Sequence, residues 1–285
     1  MHSSEVIKVV SQAKAEYDYI VIGAGSAGSL VSARLTETPD ITVLVLEAGP
    51  NFENIPILNQ PEQWWKNIGG EFDWRYKTMP QKHACLGSKN NQCEWPRGRI
   101  VGGSGKDIAE LVIEKDSERH GFCTFVALTH LRARGVISLS STDLFDHPLI
   151  DPRYFENHQD VLDLVGGIRI WEKLAQSKTM SDLGVDINEL NKRFCSEHKF
   201  RSDDYWECYI RKLAFTQFHP TSSCKMGALD DESTVVGPDL RVKGVAGLRV
   251  VDASVFPVIT SGNTNTPTLM VAERAADFIL DRKSV

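Results

Sequence analysis

A chain of 285 residues with 41% hydrophobic and 25% charged side chains has an ordinary globular composition, enough for one large domain or two smaller ones. Its net charge of −6 gives no basis for a nucleic-acid or anionic-membrane partner. No apolar run approaches the ~18 residues that span a bilayer.

The first predicted elements lie in Ile20–Pro50, IVIGAGSAGSLVSARLTETPDITVLVLEAGP. Tyr19–Ile22 is a short apolar β-rich run, followed by a turn with Gly23, Gly25 and Gly28, a helix, and a second strand, Thr42–Leu46, ending at Glu47. Each part has a physical task in holding a dinucleotide. Gly23 permits the tight turn, Gly25 lets the backbone approach a pyrophosphate, and Gly28 lets helix and strand pack closely. Ser26 and Ala27 open the helix, whose free N–H groups and positive dipole end suit phosphate. Glu47 and Ala48 close the second strand, where a carboxylate can accept hydrogen bonds from ribose hydroxyls. Strand, turn, helix, strand and acid agree on an α/β, Rossmann-like site for an adenine dinucleotide.

Next, Trp64, Trp65, Trp74 and Trp95 fit packing better than ligand stacking. Trp95–Gly105, WPRGRIVGGSG, ends in a run of glycines and reads as either a turn or a backbone loop closing on a ligand. The segment from Lys106 to His120 is polar and charged. Phe122–Arg132 and Gly135–Ser140 alternate in a way that predicts an antiparallel hairpin, and Asp146–Pro152 reads as an extended loop. Helical periodicity covers Asp160–Gln176, Thr179–Glu189 and Asp203–Phe215. A histidine loop (Phe218–Gly227), a short strand (Leu248–Asp252) and a final helix from Thr266–Pro267 to Arg282 complete the chain.

The cysteines are Cys85, Cys93, Cys123, Cys195, Cys208 and Cys224, with no CxxC pair and no ligand cluster, so no metal site is expected. Cys85 and Cys93 could close a short disulfide loop. The N-terminus lacks the apolar core of a secretory signal, so free thiols and a cytosolic start are expected, with prior removal of a leader left open.

Four stretches together resemble the glucose–methanol–choline (GMC) family of FAD-dependent oxidoreductases: the dinucleotide unit ending in LVLEAGP, then WPRGRIVGGSG, then FHPTSSCKMG (Phe218–Gly227), then Leu248–Leu280. The resemblance covers both ends and not the middle. The family's long segment between the glycine loop and the hairpin is absent, and the match fails after Gly105, at Asp107 and Ile108. It implies an FAD-binding domain with a truncated α+β substrate domain. Residues 1–105 are expected to form the N-terminal part of the FAD domain, 106–215 the remnant of the substrate domain, and 216–285 the return to the cofactor.

The resemblance also implies chemistry: transfer of hydride from a CH–OH carbon of a small-molecule alcohol to flavin, the electron acceptor being unassigned. His219 matches the family's catalytic histidine, and Asn263, on the loop before the last helix, matches the second active-site position. Cofactor contacts carry over to Arg99, Val101, Gly102, Gly103, Asp252, Ala253, Asn263 and Thr264. The remaining motif-free histidines, His83, His120, His130, His147, His158 and His198, read as surface or packing residues, and Glu273, Arg274 and Asp277 as a solvated helix face. Leu248–Val251 is expected to join Tyr19–Ile22 and Thr42–Leu46 in one sheet. The alternative reading is a non-catalytic or unstable fragment that has lost its substrate pocket. A nicotinamide dehydrogenase is disfavoured by the C-terminal motifs.

Overall fold

The computed structural model describes residues 13–51, 66–106, 115–116, 119–120, 124–185, 187 and 194–282. In chain order the elements begin β1 (Tyr19–Ile22), α1 (Ser26–Thr36), β2 (Val43–Leu46), β3 (Tyr76–Lys77), β4 (Glu94–Trp95), β5 (Lys115–Asp116) and β6 (Arg119–His120). They continue with β7 (Val136–Ser138), β8 (Leu149–Asp151), α2 (His158–Ala175), α3 (Lys178–Asp182), α4 (Asp203–Leu213) and α5 (Asn265–Leu280). Among the described residues the strands form four two-stranded sheets, β1–β2 parallel and β3–β4, β5–β6 and β7–β8 antiparallel. The chain divides into two units: Met1–Trp74 with Arg97–Glu110 and His219–Val285, and Arg75–Pro96 with Leu111–Phe218. Trp64, Trp65, Asp107 and Ile108 lie outside the described residues, as does most of the polar segment after Lys106.

In the first unit, α1 buries Ala27, Val31 and Leu35, four residues apart on one stripe. That stripe meets Ala272 and Ala275 of α5 in a core completed by Val236, Leu240, Val255 and Phe256. Ala27 on α1 and Ala272 and Ala275 on α5 are small enough to let the two helices approach closely. Each fully buried aliphatic side chain here contributes roughly 1.5–3 kcal/mol. Tyr19 and Val43 turn toward this core, whereas Ile22 on the opposite face of β1 is 84% exposed. A parallel sheet is ordinarily covered on both faces.

Leu248–Val251 does not join β1 and β2, contrary to expectation. Arg249 bridges Arg241 instead, with Val242 N–H donating to Leu248 O and Val250 N–H to Leu240 O. Its backbone groups are spent on the neighbouring 240–242 segment, while Val250 and Val251 still pack on the core beside Tyr19 and Val43.

The second unit packs α2 and α4 over Ala84, Phe155, Val161, Val165 and Ile210. Trp95 is buried and stacks on Tyr154, with ring centroids 5.9 Å apart. Glu172, buried on α2, accepts hydrogen bonds from Arg169, Arg201 and the Trp206 indole. The expected hairpin is displaced: β7 pairs with β8, Val136 opposite Asp151, and 124–132 forms no strand. The fully buried Asp160 explains this, because its carboxylate accepts the Arg132 and Ala133 N–H groups that a ladder would have used. Gly135 is required where β7 begins, since a Cβ there would fall 2.3 Å from Asp151 O. α3 ends early, at Gly184 (φ +73), whose N–H closes on Ser181 O.

Free thiols are likewise not what the fold holds. Cys85 joins Cys93 and Cys195 joins Cys208, with Cα–Cα separations of 5.6 and 5.9 Å. Cys224 is a free thiol. No described helix is long and apolar enough to cross a membrane.

Candidate functional site

The site is built from backbone approaches that only glycine allows. Gly23 leaves β1 at φ +93, and its N–H donates to Leu46 O at 2.7 Å. An ideal Cβ on Gly28 would sit 2.0 Å from Gly23 O, so α1 begins pressed against the turn. Glu47 reaches back across it: one carboxylate oxygen accepts the Ala24 N–H and the other the Gly49 N–H, both at 2.7 Å. Ala48, beside it, is exposed.

The second glycine loop closes on the first. Gly102 N–H donates to Ala24 O at 2.7 Å, Gly25 and Gly102 form a parallel bridge, and Val101 N–H donates to Pro50 O. A Cβ on Gly49 would meet Arg99 O at 2.2 Å, and one on Gly98 would meet Gly103 C at 2.8 Å. Residues 23–28, 47–49 and 98–103, far apart in sequence, thus touch backbone to backbone. Arg99 lies over the Trp74 ring at 5.8 Å and donates to Glu71 O, while its Nε is buried with no hydrogen-bond partner among the described residues.

Two helices start at this place. Ser26 Oγ, in the first turn of α1, donates to Asn265 Oδ1 of α5 at 2.7 Å. Neither N-cap, Gly25 or Thr264, makes a side-chain cap hydrogen bond, so both helices present unsatisfied N–H groups and positive dipole ends.

His219 is fixed by its own loop. Asp252 Oδ1 accepts the Ser254 N–H and starts the 3-10 turn Ala253–Val255, anchored by the fully buried Val255. The histidine loop is sewn to that turn: Ser222, Cys224 and Met226 N–H groups donate to Ala253, Ser254 and Val255 O. From there His219 Nδ1 lies 3.0 Å from Thr264 Oγ1. Burial pushes the His219 pKa below the usual 6.5, the nearby Arg97 charge pushes it further, and a hydrogen bond with the Asn263 side chain opposes both. The imidazole is therefore neutral at pH 7, the form that accepts a proton.

His219, Asn263 and Thr264 meet at the start of α5, and Gly23, Gly25, Ser26, Ala27, Gly28, Glu47, Gly102 and Gly103 meet around the start of α1. One oxygen of the Asp252 carboxylate is spent on its own turn, and the carbonyls of Ala253–Val255 on the histidine loop. Arg97, and Asn265 as the side-chain partner of Ser26, were missed from sequence. Arg97 belongs to the WPRGR motif and carried a visible signal, whereas the Ser26–Asn265 contact spans 239 residues with no local mark. Elsewhere, His158 pairs with Glu207 and His147 packs on Tyr76. Glu273 pairs with Arg34, and Arg274 lies over Phe278. Among the described residues, Glu197, His198 and Cys208 cluster closely enough for a metal, but the Cys208 sulfur is bound to Cys195.

Residues 132–272 match the sequence profile of the GMC oxidoreductase C-terminal domain. The FAD- and quinone-named glucose dehydrogenase of Drosophila melanogaster is 40% identical over 158 residues, which is 55% of this chain and 25% of that protein. Choline oxidase of Arthrobacter globiformis is 39% identical over 163 residues, 56% of this chain and 29% of that protein. The chain spans about a quarter of the length of the curated relatives it matches. In fold it is similar to the crystal structure of pyridoxine 4-oxidase from Mesorbium loti, with a TM-score of 0.76 at 16% identity, covering 94% of this chain and 100% of that one. The dinucleotide-type turn and the histidine loop seated at the start of α5 thus occur in a chain whose residues 132–272 match the GMC oxidoreductase family, and whose fold is similar to that of a solved oxidase.

Proposed function

We propose that the chain holds FAD and belongs to an oxidoreductase acting on CH–OH groups of a small-molecule alcohol, with His219 as the base. The observation that carries this reading is the meeting of the 23–28 turn, Glu47 and the 98–103 loop at two uncapped helix starts, with a neutral histidine at the second of them. The residues fit the cofactor. Each Glu47 oxygen uses one of its acceptor positions on a backbone N–H and keeps another for a ribose hydroxyl. Gly25 leaves backbone N–H groups at the α1 start uncovered for a pyrophosphate, and the orphaned Arg99 Nε is a buried donor awaiting an acceptor.

Bound FAD supplies the hydride acceptor. The chain's own residues supply the rest. His219 takes the hydroxyl proton, and Asn263, which offers both an N–H donor and a C=O acceptor, holds the substrate oxygen. The α5 start places positive potential where negative charge collects on reduction. Val101, Ala253 and Thr264 would be further neighbours of the cofactor. On this reading the first unit is the cofactor-holding part and the second a shortened α+β substrate domain.

The test is anaerobic mixing of the FAD-loaded chain with glucose, choline and a panel of primary alcohols. Bleaching of the flavin, slowed ~10²–10⁴-fold by His219→Ala with flavin retention unchanged, supports the reading. Bleaching that ignores the substitution removes His219 from the base role.

A second reading is a flavin-holding or unstable fragment without turnover. The exposed face of the β1–β2 sheet, with Ile20 61% and Ile22 84% exposed, favours it. A loaded, monodisperse chain that no alcohol bleaches would select it.

A further inference from the structure

We propose that the β7–β8 hairpin is a self-association surface, on which the free edge of β7 pairs antiparallel with β7 of a second copy of this chain. The inference goes beyond the flavin reading and does not depend on it.

The two edges of this sheet differ. Beside β8, the Met79 N–H donates to Ile150 O at 2.7 Å and the Gln81 amide to Asp151 Oδ1 at 3.0 Å, so that edge is taken. β7 pairs with β8 on one side, and on the other it makes no backbone hydrogen bond among the described residues. A free edge is ordinarily blunted by a lysine, a proline or a bulge. Val136–Ser138 has none of these, and Val136 and Ile137, on opposite faces of the strand, are each about half exposed.

The loop that follows adds apolar surface and holds it outward. Ser140 Oγ donates to His147 O, Ser141 Oγ to Asp146 Oδ2, and the Phe145 N–H to Asp143 Oδ1, so the loop meets its polar needs internally. Leu139, Leu144 and Phe145 stand 84%, 95% and 91% exposed. With Val136, Ile137 and Leu149 they present roughly 700–800 Å² per chain, more than the largest apolar patch of a typical monomer. Two copies together reach about 1,500 Å², the size of a stable interface.

Charge makes a second copy the fitting occupant. The exposed hairpin is cationic at its base, Arg134, and acidic at its tip, Asp143 and Asp146. Antiparallel pairing of two β7 strands sets the base of each hairpin against the tip of the other, twice by symmetry. A hairpin with unlike charges at its two ends is complementary to itself, whereas an anionic lipid surface is repelled by the carboxylates at its tip.

Sedimentation equilibrium of the full chain from ~1 to ~100 µM is expected to give a concentration-dependent dimer of the 31.8 kDa chain. Over the same range, hydrogen exchange at the Val136–Ser138 amides is expected to slow. Leu139→Lys and Arg134→Glu, both at solvent-facing positions, are each expected to weaken the dimer at least ~10-fold. Ile22→Lys, on the exposed face of β1, is expected to leave it intact. A wild-type chain that stays monomeric overturns the proposal even if no variant folds, and flotation of that monomer with phosphatidylcholine vesicles would assign the surface to lipid instead. Exchange at Val136–Ser138 that ignores concentration overturns it, as does a dimer that Ile22→Lys dissolves and Leu139→Lys does not.

Discussion

Gly25 and Gly28 lie three residues apart in one turn, yet the structure assigns them different tasks, and alanine separates these. At Gly28 an added Cβ lands 2.0 Å from Gly23 O and 3.2 Å from both Gly23 C and Val21 Cγ1. Ordinary contact begins near ~3.4 Å, so α1 must lift from the turn by more than about 1 Å or the turn must open. Overpacking of this kind costs about 3 kcal/mol, the upper part of the usual range, and the better helix propensity of alanine returns about 1 kcal/mol. The net loss of about 2 kcal/mol corresponds to a fall in Tm of roughly 4–8 °C. At Gly25 the backbone sits at φ −74 and a Cβ meets only Gly103 Cα, at 3.9 Å. There Gly25→Ala gives up about 0.5–1 kcal/mol of cap preference and little else. Its effect is expected on the cofactor, because the methyl occupies the space through which a pyrophosphate approaches the backbone. Thermal melts and flavin retention of both variants check this. Gly28→Ala should melt several degrees lower, and Gly25→Ala should stay near wild type while losing flavin. A Gly25→Ala chain that keeps flavin at the wild-type level, or a Gly28→Ala chain that melts with it, refutes the division of labour.

Burial pushes the Glu172 carboxyl up, but its hydrogen bonds with Arg169 and Arg201 outweigh this and hold it below the usual range. Glu172→Ala should destabilise the second unit by about 3 kcal/mol, the low end for a broken buried pair because both guanidiniums are about a third exposed; urea unfolding measures it. His219 has its folded pKa lowered, so its contribution to stability is full above the unfolded value of 6.5 and is lost as pH falls below it. Melts between pH 8 and 5 should show a slope below pH 6.5 that His219→Gln flattens. With two cystines, titration of the denatured, unreduced chain should count no more than two of the six thiols, and all six after reduction.

The parts of the fold legible in sequence were those whose partners are near in the chain. The turn at Gly23–Gly28 and the approach of Glu47 to Ala24 lie within one βαβ unit, where strand period, glycine spacing and helix length all point the same way. The start of α5 was equally plain, with Pro267 in its first turn. Other features depended on distant partners. The buried Asp160 took the N–H groups of Arg132 and Ala133, 28 and 27 residues away, and so removed a strand that alternation alone had favoured. Leu248–Val251 had the composition of a sheet strand but found its hydrogen bonds on 240–242, a choice that composition does not encode. Cys85–Cys93 was seen as possible but disfavoured and Cys195–Cys208 was not foreseen, because the state of the thiols was inferred from the N-terminus, which says nothing about Cα separation. At the site, the motif pointed to His219, but the Thr264 hydroxyl beside its Nδ1 depends on the packing of α5.

The central claim is that this chain holds FAD through the 23–28 turn and Glu47. Equilibrium titration of the purified chain with FAD, followed by flavin fluorescence and absorbance, tests it most directly. The account predicts saturable binding at one FAD per chain, weakened about 10- to 10²-fold by Glu47→Ala, the equivalent of losing a charge-assisted hydrogen bond of ~1.5–3 kcal/mol. A folded, monodisperse chain that binds no FAD, or one whose affinity is unchanged by Glu47→Ala, would contradict it.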